Sequence, residues 1–541
     1  MKDKKVFTAA MVLCLALLGA CGGGGGGGSS GGGTAVNNGA VNMHITDAPA
    51  YGYNNVWITL KDVWFHTSNA AGPGDAGWLK FPITPVTIDL LTLANGNISS
   101  ALWQNIQLPE GNYQQIRLFL AGTEDALTAS ASALGLQYNN EIVDTSNNVS
   151  PLRIADCTHG IRLAGTFTVR KAAPLDLAID FDAGDDIVDV QRGNPPVTEY
   201  FLKPRLSYFD LNNAGAIVGT IDAASAGNAS TALFVFKAEQ VDASGQYYEM
   251  KRVTTWDVTN GRFVLYPLAP GNYDVILRGV GYETVIIKNV PVTQGTTPTS
   301  SPTVIPQITM VTSVSAGASA DISVTASGLS PTGGWLNFYQ TLPAETVPHE
   351  IRFRHLNPFT GGFTTGFPLS QGYLLWGIYS STPINLTAVT PKEGLGGCQV
   401  VLDALDYNRG AAVTITPNAG AYAVLTQATP IASLVPPIPY SISGSVILPN
   451  NLVGQLDSGV VLASHGGMIT TAINAAAQMA SGGVYSVTDV PGGFECAFYG
   501  VEGFGWLGTQ PVTKRAISIP ALVDLRSGNA TNVDLTMIPL F

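Results

Sequence analysis

Charged side chains are scarce in this chain of 541 residues, where Asp, Glu, Lys and Arg together make up 12%. Typical globular domains contain about twice that share, ~25%. Lys and Arg number 26 against 38 Asp and Glu, so the formal net charge is −12. Nucleic-acid binding requires clustered Lys and Arg, and the sequence contains no basic stripe. We therefore expect no nucleic-acid partner.

Cysteine and histidine are also rare, with five and six residues. Cys157, Cys398 and Cys496 are widely separated and form no Cys-x-x-Cys pair. At most one intramolecular disulfide can link them, and whether any two are bridged stays open. The sequence contains no Gly-x-Ser-x-Gly elbow, no P-loop and no dinucleotide fingerprint. Without a constellation that carries catalysis, we expect a protein that is not an enzyme and that holds no cofactor.

Apolar runs of the ~20 residues that a membrane-spanning helix needs are absent. Val6–Leu18 is shorter, follows three lysines and is typical of a signal-peptide core. Leu18-Gly19-Ala20-Cys21 resembles the bacterial lipobox, which implies that residues 1–20 are a signal peptide and that Cys21 is acylated. Gly22, where Asp would favour retention in the inner membrane, favours the outer membrane. We expect an anchor of acyl chains in that membrane, with the protein facing the periplasm or the cell surface.

Glycine is abundant, with 61 residues, and residues 22–33 consist of Gly and Ser alone. Glycine loses the most backbone entropy on ordering, and this run has no side chains to bury. Such a segment behaves as a flexible coil that spans roughly 20 Å. We therefore assign residues 21–39 to the lipid anchor and a flexible Gly-rich linker.

Alternation of apolar and polar residues is the main pattern after the linker. Val41, Met43 and Ile45 alternate with polar neighbours, which is the period of a half-buried strand. Plentiful Thr and Val, together with 33 prolines, favour short strands and turns over long helices. Residues 126–136 are the best candidate for a short helix, with a loop as the equal alternative. The sequence predicts an all-β fold made of tandem β-sandwich modules.

A family resemblance covers residues 40–212. Five segments, in the same order as in the family, carry it: "ITDAPA" (45–50), "TIDLLTLANG" (87–96), "LPEGNYQQIRLFL" (108–120), "LDLAIDFDAGDDIV" (175–188) and "YFLKPRL" (200–206). They resemble the bacterial family called domain of unknown function 4382. That family occurs in exported lipoproteins and has no established activity, so the resemblance implies a location and not a chemistry.

A second resemblance covers residues 213–308. "GAIVGTI", the turn Pro270-Gly271-Asn272-Tyr273 and the pair Gly281-Tyr282 resemble the carboxypeptidase regulatory-like domain, a small transthyretin-like β-sandwich. Residues 439–541 repeat the plan: "YSISGSVILP" parallels "GAIVGTI", "VDLTMIPL" parallels "TVIPQITM", and Phe494 stands where Tyr273 does. Residues 309–438 show a weaker similarity to the same turn and strand pattern. They would form a sandwich of the same type or a looser Ig-like one. We expect these modules to form a semi-rigid rod.

Two segments raise the question of metal binding. In "HEIRFRH" (349–355) two histidines are six residues apart, which on a strand is about 20 Å, so the pair cannot hold one zinc ion and we interpret the segment as a strand. "DFDAGDDIVD" (180–189) offers the calcium candidates Asp180, Asp182, Asp185 and Asp186 because calcium takes six to eight oxygen ligands. Its spacing does not match an EF-hand, and an acidic turn is the alternative.

Exposed aromatic side chains are the remaining signal for ligand binding. The candidates for a sugar-stacking platform are Trp335, Tyr339, Tyr373 and Trp376, with burial in the core as the alternative for each. The favoured hypothesis is a non-enzymatic, lipid-anchored envelope or surface protein that acts as a binding or scaffold module. The alternatives are a carbohydrate-binding surface protein and an accessory subunit of a hydrolase. The partners would then be glycans or other envelope proteins.

Overall fold

The computed structural model describes residues 37–48, 50–192, 197–222, 233–257, 260–313, 320–325, 334–356, 362–367, 372–415, 425–426, 438–456, 458–506 and 515–540. Cys21 and the Gly-rich linker lie outside these residues. Residues 38–541 form one compact unit. Its fold is all-β, as predicted. Within the described ranges, no helix combines the length and the apolar character needed to cross a bilayer.

The first region, residues 38–210, encloses a hydrophobic core between two sheets. Its strands are β1 (Asn38–Ala48), β2 (Tyr53–His66), β3 (Leu79–Asp89), β4 (Trp103–Pro109), β5 (Gly111–Leu120), β6 (Glu141–Asp144), β7 (Val149–Ile154), β8 (Ile161–Val169), β9 (Leu175–Asp182), β10 (Ile187–Arg192), β11 (Val197–Leu202) and β12 (Ser207–Asp210). One sheet has the order β12-β9-β1-β4, and the other β10-β11-β7-β6-β2-β5-β8 with β3 beside β2.

Local sequence explains several of these elements. Val41, Met43 and Ile45 point into the core from β1, as their alternation predicts. A 3-10 helix (Leu90–Leu93) and two short α-helices, α1 (Ala129–Ala133) and α2 (Ala183–Asp186), complete the first region. The prediction of a short helix within residues 126–136 is confirmed by α1.

The second region, residues 213–308, is again built from two sheets around a core. Its strands are β13 (Gly215–Ile221), β14 (Val235–Val241), β15 (Tyr248–Thr254), β16 (Trp256–Asp257), β17 (Arg262–Leu268), β18 (Gly271–Arg278), β19 (Thr284–Val292) and β20 (Thr303–Ile308). One sheet has the order β16-β17-β13-β20, and the other begins β15-β14-β18-β19.

The third region, residues 320–426, shares a sheet with the second. Its strands are β21 (Ala320–Thr325), β22 (Trp335–Gln340), β23 (His349–His355), β24 (Gly362–Phe367), β25 (Leu374–Ile378), β26 (Thr387–Val389), β27 (Cys398–Asp403), β28 (Val413–Ile415) and β29 (Leu425–Thr426). β25 and β26 extend the second region's sheet beyond β19, while the orders β23-β22-β27-β28 and β24-β21-β29 form two further sheets. The interpretation of "HEIRFRH" as a strand is confirmed by β23.

The fourth region, residues 439–540, closes the described chain. Its elements are β30 (Pro439–Ile447), β31 (Ser458–His465), β32 (Met468–Asn474), α3 (Ala476–Ser481), β33 (Val484–Pro491), β34 (Phe498–Trp506), β35 (Arg515–Ser518), β36 (Ala521–Asp524) and β37 (Leu535–Leu540). The strands follow the order β32-β31-β34-β35-β37-β30-β33, with β36 beside β34. The module boundaries at 212/213, 308/309 and 438/439 stay predictions.

One strand plan recurs in the first, second and fourth regions. β13 lies between antiparallel β17 and parallel β20, and β30 likewise lies between β33 and β37. The predicted correspondence of "YSISGSVILP" with "GAIVGTI" and of "VDLTMIPL" with "TVIPQITM" is therefore confirmed. β1 occupies the same place between β4 and β9, a correspondence that no repeated motif in the sequence indicates.

A buried tyrosine stabilises one crossover between the sheets in the first region and one in the second. Tyr113 donates to the Pro109 carbonyl (3.0 Å) and Tyr273 to the Ala269 carbonyl (2.8 Å). Both follow a glycine with positive φ at the turn, a conformation that favours glycine. In the fourth region Tyr499 makes a similar hydrogen bond, donating its hydroxyl to the Pro491 carbonyl (2.7 Å). The expected equivalence of Phe494 with Tyr273 is wrong because Phe494 precedes β34 and only packs against the core.

The expectation of a rod of modules in series is also wrong. The first and fourth regions share a hydrophobic cluster that includes Phe201, Val460, Phe504 and Trp506. The second and third regions share a sheet and a further cluster around Ile286 and Leu374. Alternation along the sequence fixes which side chains face inward, but it does not reveal which regions pack together.

Candidate functional site

The acidic segment at residues 180–189 and the strand β23 come together in the fold. The α2 helix contacts β23. Asp185 pairs with Arg354, and the Oδ1 atom of Asp186 lies 3.7 Å from Nε2 of His355. Since α2 belongs to the first region and β23 to the third, the two segments build a junction between regions.

Each of the four calcium candidates has a partner within the protein. Asp180 pairs with Arg252 of β15. Asp182 caps α2 by accepting the backbone N–H of Asp185 (3.2 Å). Asp186 accepts two backbone N–H groups, at 3.1 and 3.4 Å. Hydrogen-bond donors and cations of the protein therefore already contact the carboxylates that calcium would need. The calcium site stays a prediction.

Burial alters protonation at this junction. It raises the pKa of Asp182 to about 7, with repulsion from Asp185 adding to the rise. It also raises the pKa of Asp186 well above its usual range, and Asp182 adds to that rise. Burial lowers the pKa of Lys203 to about 7 despite the opposing effect of Asp186. The junction consequently carries less charge at neutral pH than its residue types suggest.

A second ionic cluster surrounds the other histidine of β23. The His349 ring contacts Glu239 through Nδ1 (2.5 Å) and Glu345 through Nε2 (2.9 Å). Lys288 lies 3.1 Å from Oδ2 of Asp274 and also pairs with Glu345. We call these five residues the His349 network. It joins strands β14, β18 and β19 of the second region to β23 of the third.

The His349 network contains a possible set of metal ligands. Glu239, Asp274 and His349 each offer one ligand atom, and these atoms lie within 4.8 Å of one another. The Lys288 ammonium already supplies positive charge to Asp274, and the His349 ring contacts the Glu239 carboxylate. The geometry is thus that of an ion-pair network, in which a metal ion would have to displace both cations.

The electrostatics agree with a charged His349. Burial alone would lower its pKa, but the Glu239 carboxylate and the hydrogen bonds to Glu239 and Glu345 raise the pKa to about 9. Burial would likewise raise the pKa of Glu345, but its bonds with His349 and Lys288 lower the pKa to about 2. At neutral pH the pair from His349 to Glu345 is therefore ionised.

Two cavities lie at the junction of the first three regions. The larger junction cavity, of about 520 Å³, is lined among others by Asp182, Asp186, Arg205 and Arg252. The smaller junction cavity, of about 260 Å³, shares Asp182 with it and is otherwise lined largely by basic and apolar side chains. Neither was anticipated, because their walls come from segments far apart in the sequence.

The four aromatic candidates do not form one platform. Tyr339 is 1% exposed and packs on Tyr247, with ring centroids 4.8 Å apart, so its proposed part in sugar stacking is wrong. Trp335 is half-buried and packs against Phe353. Both lie on β22, whereas Trp376 lies on β25 in another sheet.

Trp376 lines a groove of its own. This groove, of about 340 Å³, is formed by β25, the following loop and the start of β26. Besides the half-buried Trp376 it presents the hydroxyl or amide groups of Ser380, Thr382, Asn385 and Thr387. Tyr373, 36% exposed, is three residues away along the chain. An aromatic ring beside hydroxyl and amide groups can bind a polar, ring-shaped ligand.

The three described cysteines are all free. Burial raises the pKa of the Cys157 thiol to about 12 and that of Cys496 above its usual value. Cys398 is buried in the core of the third region, where burial again raises the thiol pKa. Thiols of this kind are unreactive.

Together, the fold and the junction define an all-β protein of several regions, in which β-sandwiches are joined by buried ionic clusters. Residues 38–204 match the family described as "Domain of unknown function (DUF4382)". This match confirms the first resemblance seen in the sequence, over about a third of the chain. No curated protein matches the chain.

Solved structures that align with the chain are also β-proteins. One is the shaft pilin from Lactobacillus rhamnosus GG, with 9% identity, a TM-score of 0.16, and coverage of 41% of this chain and 99% of that chain. Another comprises two B repeat units of the collagen binding protein of Staphylococcus aureus, with 9% identity, a TM-score of 0.12, and coverage of 93% and 98%. A streptococcal ancillary pilin aligns with 9% identity and a TM-score of 0.15, covering 60% and 100%.

Proposed function

We propose that the chain is a non-enzymatic binding or scaffold protein of the bacterial envelope, anchored in the outer membrane through an acylated Cys21. The supporting observation is that ion pairs join its regions: a buried pair of Lys237 with Glu350, and a pair of the buried Arg252 with the partly buried Asp180. Removing one partner of a buried pair costs about 3–5 kcal/mol. Such pairs hold the regions in one fixed arrangement, which suits the presentation of a binding surface.

The chemistry of the buried groups favours binding over catalysis. Free cysteines have raised pKa values. The ring nitrogens of His349 are both engaged by carboxylates. The second and fourth regions, which share one strand plan, would be the transthyretin-like modules that the sequence resembles. An accessory role beside a hydrolase remains an alternative of the same non-catalytic kind.

The anchor is tested by metabolic labelling with a palmitate analogue in cells that export the full chain. We expect Cys21→Ser to lose the label and to leave the membrane fraction. Cys157→Ser removes a half-buried thiol elsewhere and should keep both properties. Label retained in Cys21→Ser would contradict the proposed anchor.

The Trp376 groove favours a carbohydrate as the ligand, which is the second candidate function. Its ring and its hydroxyl and amide groups match the apolar face and hydroxyl edge of a sugar. On a glycan array, we expect the purified chain to bind a set of glycans and Trp376→Ala to lose them at an unchanged melting temperature. Trp335→Ala, on another sheet, serves as the control and should retain them. Equal binding by both variants would place any sugar site elsewhere.

A further inference from the structure

Four cationic side chains line the smaller junction cavity. Lys237 and Arg278 come from the second region, and Arg352 and Arg354 come from β23 of the third. The chain has only 26 Lys and Arg in total and a net charge of −12. This concentration of positive charge around about 260 Å³ is therefore opposite in sign to the molecule as a whole.

The acidic groups at the cavity do not balance these cations. Asp185 pairs with Arg354, and Lys237 pairs with Glu350, which is not part of the wall. Asp182 caps α2, and burial raises its pKa to about 7, so it contributes only part of a negative charge at neutral pH. The charge of Arg278 is left without a counterpart in the wall.

The Arg278 guanidinium is incompletely satisfied within the described residues. No carboxylate in the described ranges lies within salt-bridge distance of it. Its Nε atom is buried and has no hydrogen-bond partner. Burial lowers the pKa of Arg278 to about 10, and the neighbouring charge of Arg354 adds to that decrease. A partly buried guanidinium with an unsatisfied nitrogen is costly unless a ligand supplies the missing charge and acceptors.

We propose that the smaller junction cavity binds a phosphate-type oxyanion, either free or carried on a small molecule. The tetrahedral oxygens of phosphate or sulfate accept two parallel hydrogen bonds from each guanidinium, a geometry that planar arginine groups favour. The cavity volume is several times the ~30 Å³ that one water takes up in the liquid. It therefore leaves room for a few atoms attached to the anionic group.

Calorimetric titration and thermal melting of the purified full chain at low ionic strength and pH 7 test this proposal. Inorganic phosphate, sulfate, and acetate or chloride at equal ionic strength are the probes. We expect phosphate to bind with saturation and to raise the melting temperature, and chloride to do neither. A response to phosphate and sulfate alike assigns a tetrahedral-oxyanion site. A rise that is equal for every salt would reflect charge screening alone and would overturn the proposal.

Variants of Arg278 separate ligand binding from a structural role. Arg278→Gln should weaken phosphate binding at least tenfold without lowering the melting temperature of the ligand-free protein, because it removes an unpaired cation from a cluster of like charge. Arg278→Lys keeps the charge, loses the planar fork and should bind phosphate with intermediate affinity. Arg526→Gln removes an exposed arginine that pairs with Asp524 and should bind like the unmodified chain. Undiminished binding in both Arg278 variants would overturn the proposal.

Discussion

His349 shows how opposing effects decide the charge of one buried side chain. Burial disfavours the imidazolium, yet carboxylates at both ring nitrogens outweigh burial and raise the pKa from 6.5 to about 9. A pKa that is raised in the folded state means that folding favours the protonated ring. This contribution to stability is complete below pH 6.5 and is lost as the pH rises through 9.

A pH prediction follows for Glu345, one of the two carboxylates that hold His349. Glu345→Gln removes one of the groups that raise the His349 pKa, so the decline in stability should move to lower pH. We expect the His349 pKa measured by NMR to shift below 9. The urea midpoint should begin to fall at a lower pH within the range from 6.5 to 9. Glu249→Gln alters an exposed pair with Lys251 and should leave both curves unchanged. A His349 pKa of about 6.5 in the unmodified chain would contradict the network.

Part of this site could be predicted from the sequence and part could not. The spacing in "HEIRFRH" correctly predicts a strand and excludes a shared zinc ion. The partner of His349, Glu239, is 110 positions away, on a strand whose own alternation looks ordinary. The alternation of side chains along a strand indicates the face of the sheet that a residue occupies. The pairing of strands distant in sequence determines which residues it contacts on that face.

At the scale of the element, the repeated crossover turn explains how each sandwich closes. In the second region, β17 and β18 lie in different sheets, so the chain must pass from one layer to the other within a few residues. The Tyr273 hydroxyl ties the first residue after β17 to the second layer. The turn residues were visible in the sequence, but the hydrogen bond that makes Tyr preferable to Phe was not.

Tyr273→Phe tests this bond alone because it removes the hydroxyl and keeps the ring. A hydrogen bond of this kind contributes about 0.5–1.5 kcal/mol, and the Ala269 carbonyl loses its side-chain donor. We expect the free energy of unfolding in urea to fall by about 1 kcal/mol. Tyr208→Phe removes a hydroxyl that has no hydrogen-bond partner among the described residues and should be nearly neutral. Equal effects of the two substitutions would mean that the bond adds nothing to the crossover.

At the scale of the whole molecule, the contact between the first and fourth regions joins the two ends of the described chain. Trp506 is buried, packs with Phe504 and donates its indole N–H to Glu199 of the first region (2.6 Å). Arg515 also reaches Glu199, at 2.8 Å. One buried carboxylate therefore accepts a hydrogen bond from β34 and forms an ion pair with β35. This arrangement makes the contact specific as well as apolar.

Trp506→Ala should break the thermodynamic coupling between these regions. Removing a buried Trp costs about 3–5 kcal/mol through the cavity that it leaves, and Glu199 loses its indole donor. When regions share a core they unfold together, and when the interface weakens they unfold separately. We expect one calorimetric transition in the unmodified chain and two in Trp506→Ala. Trp376→Ala alters a half-buried tryptophan outside this interface and should keep a single transition. Two transitions in the unmodified chain would show that the shared cluster does not couple the regions.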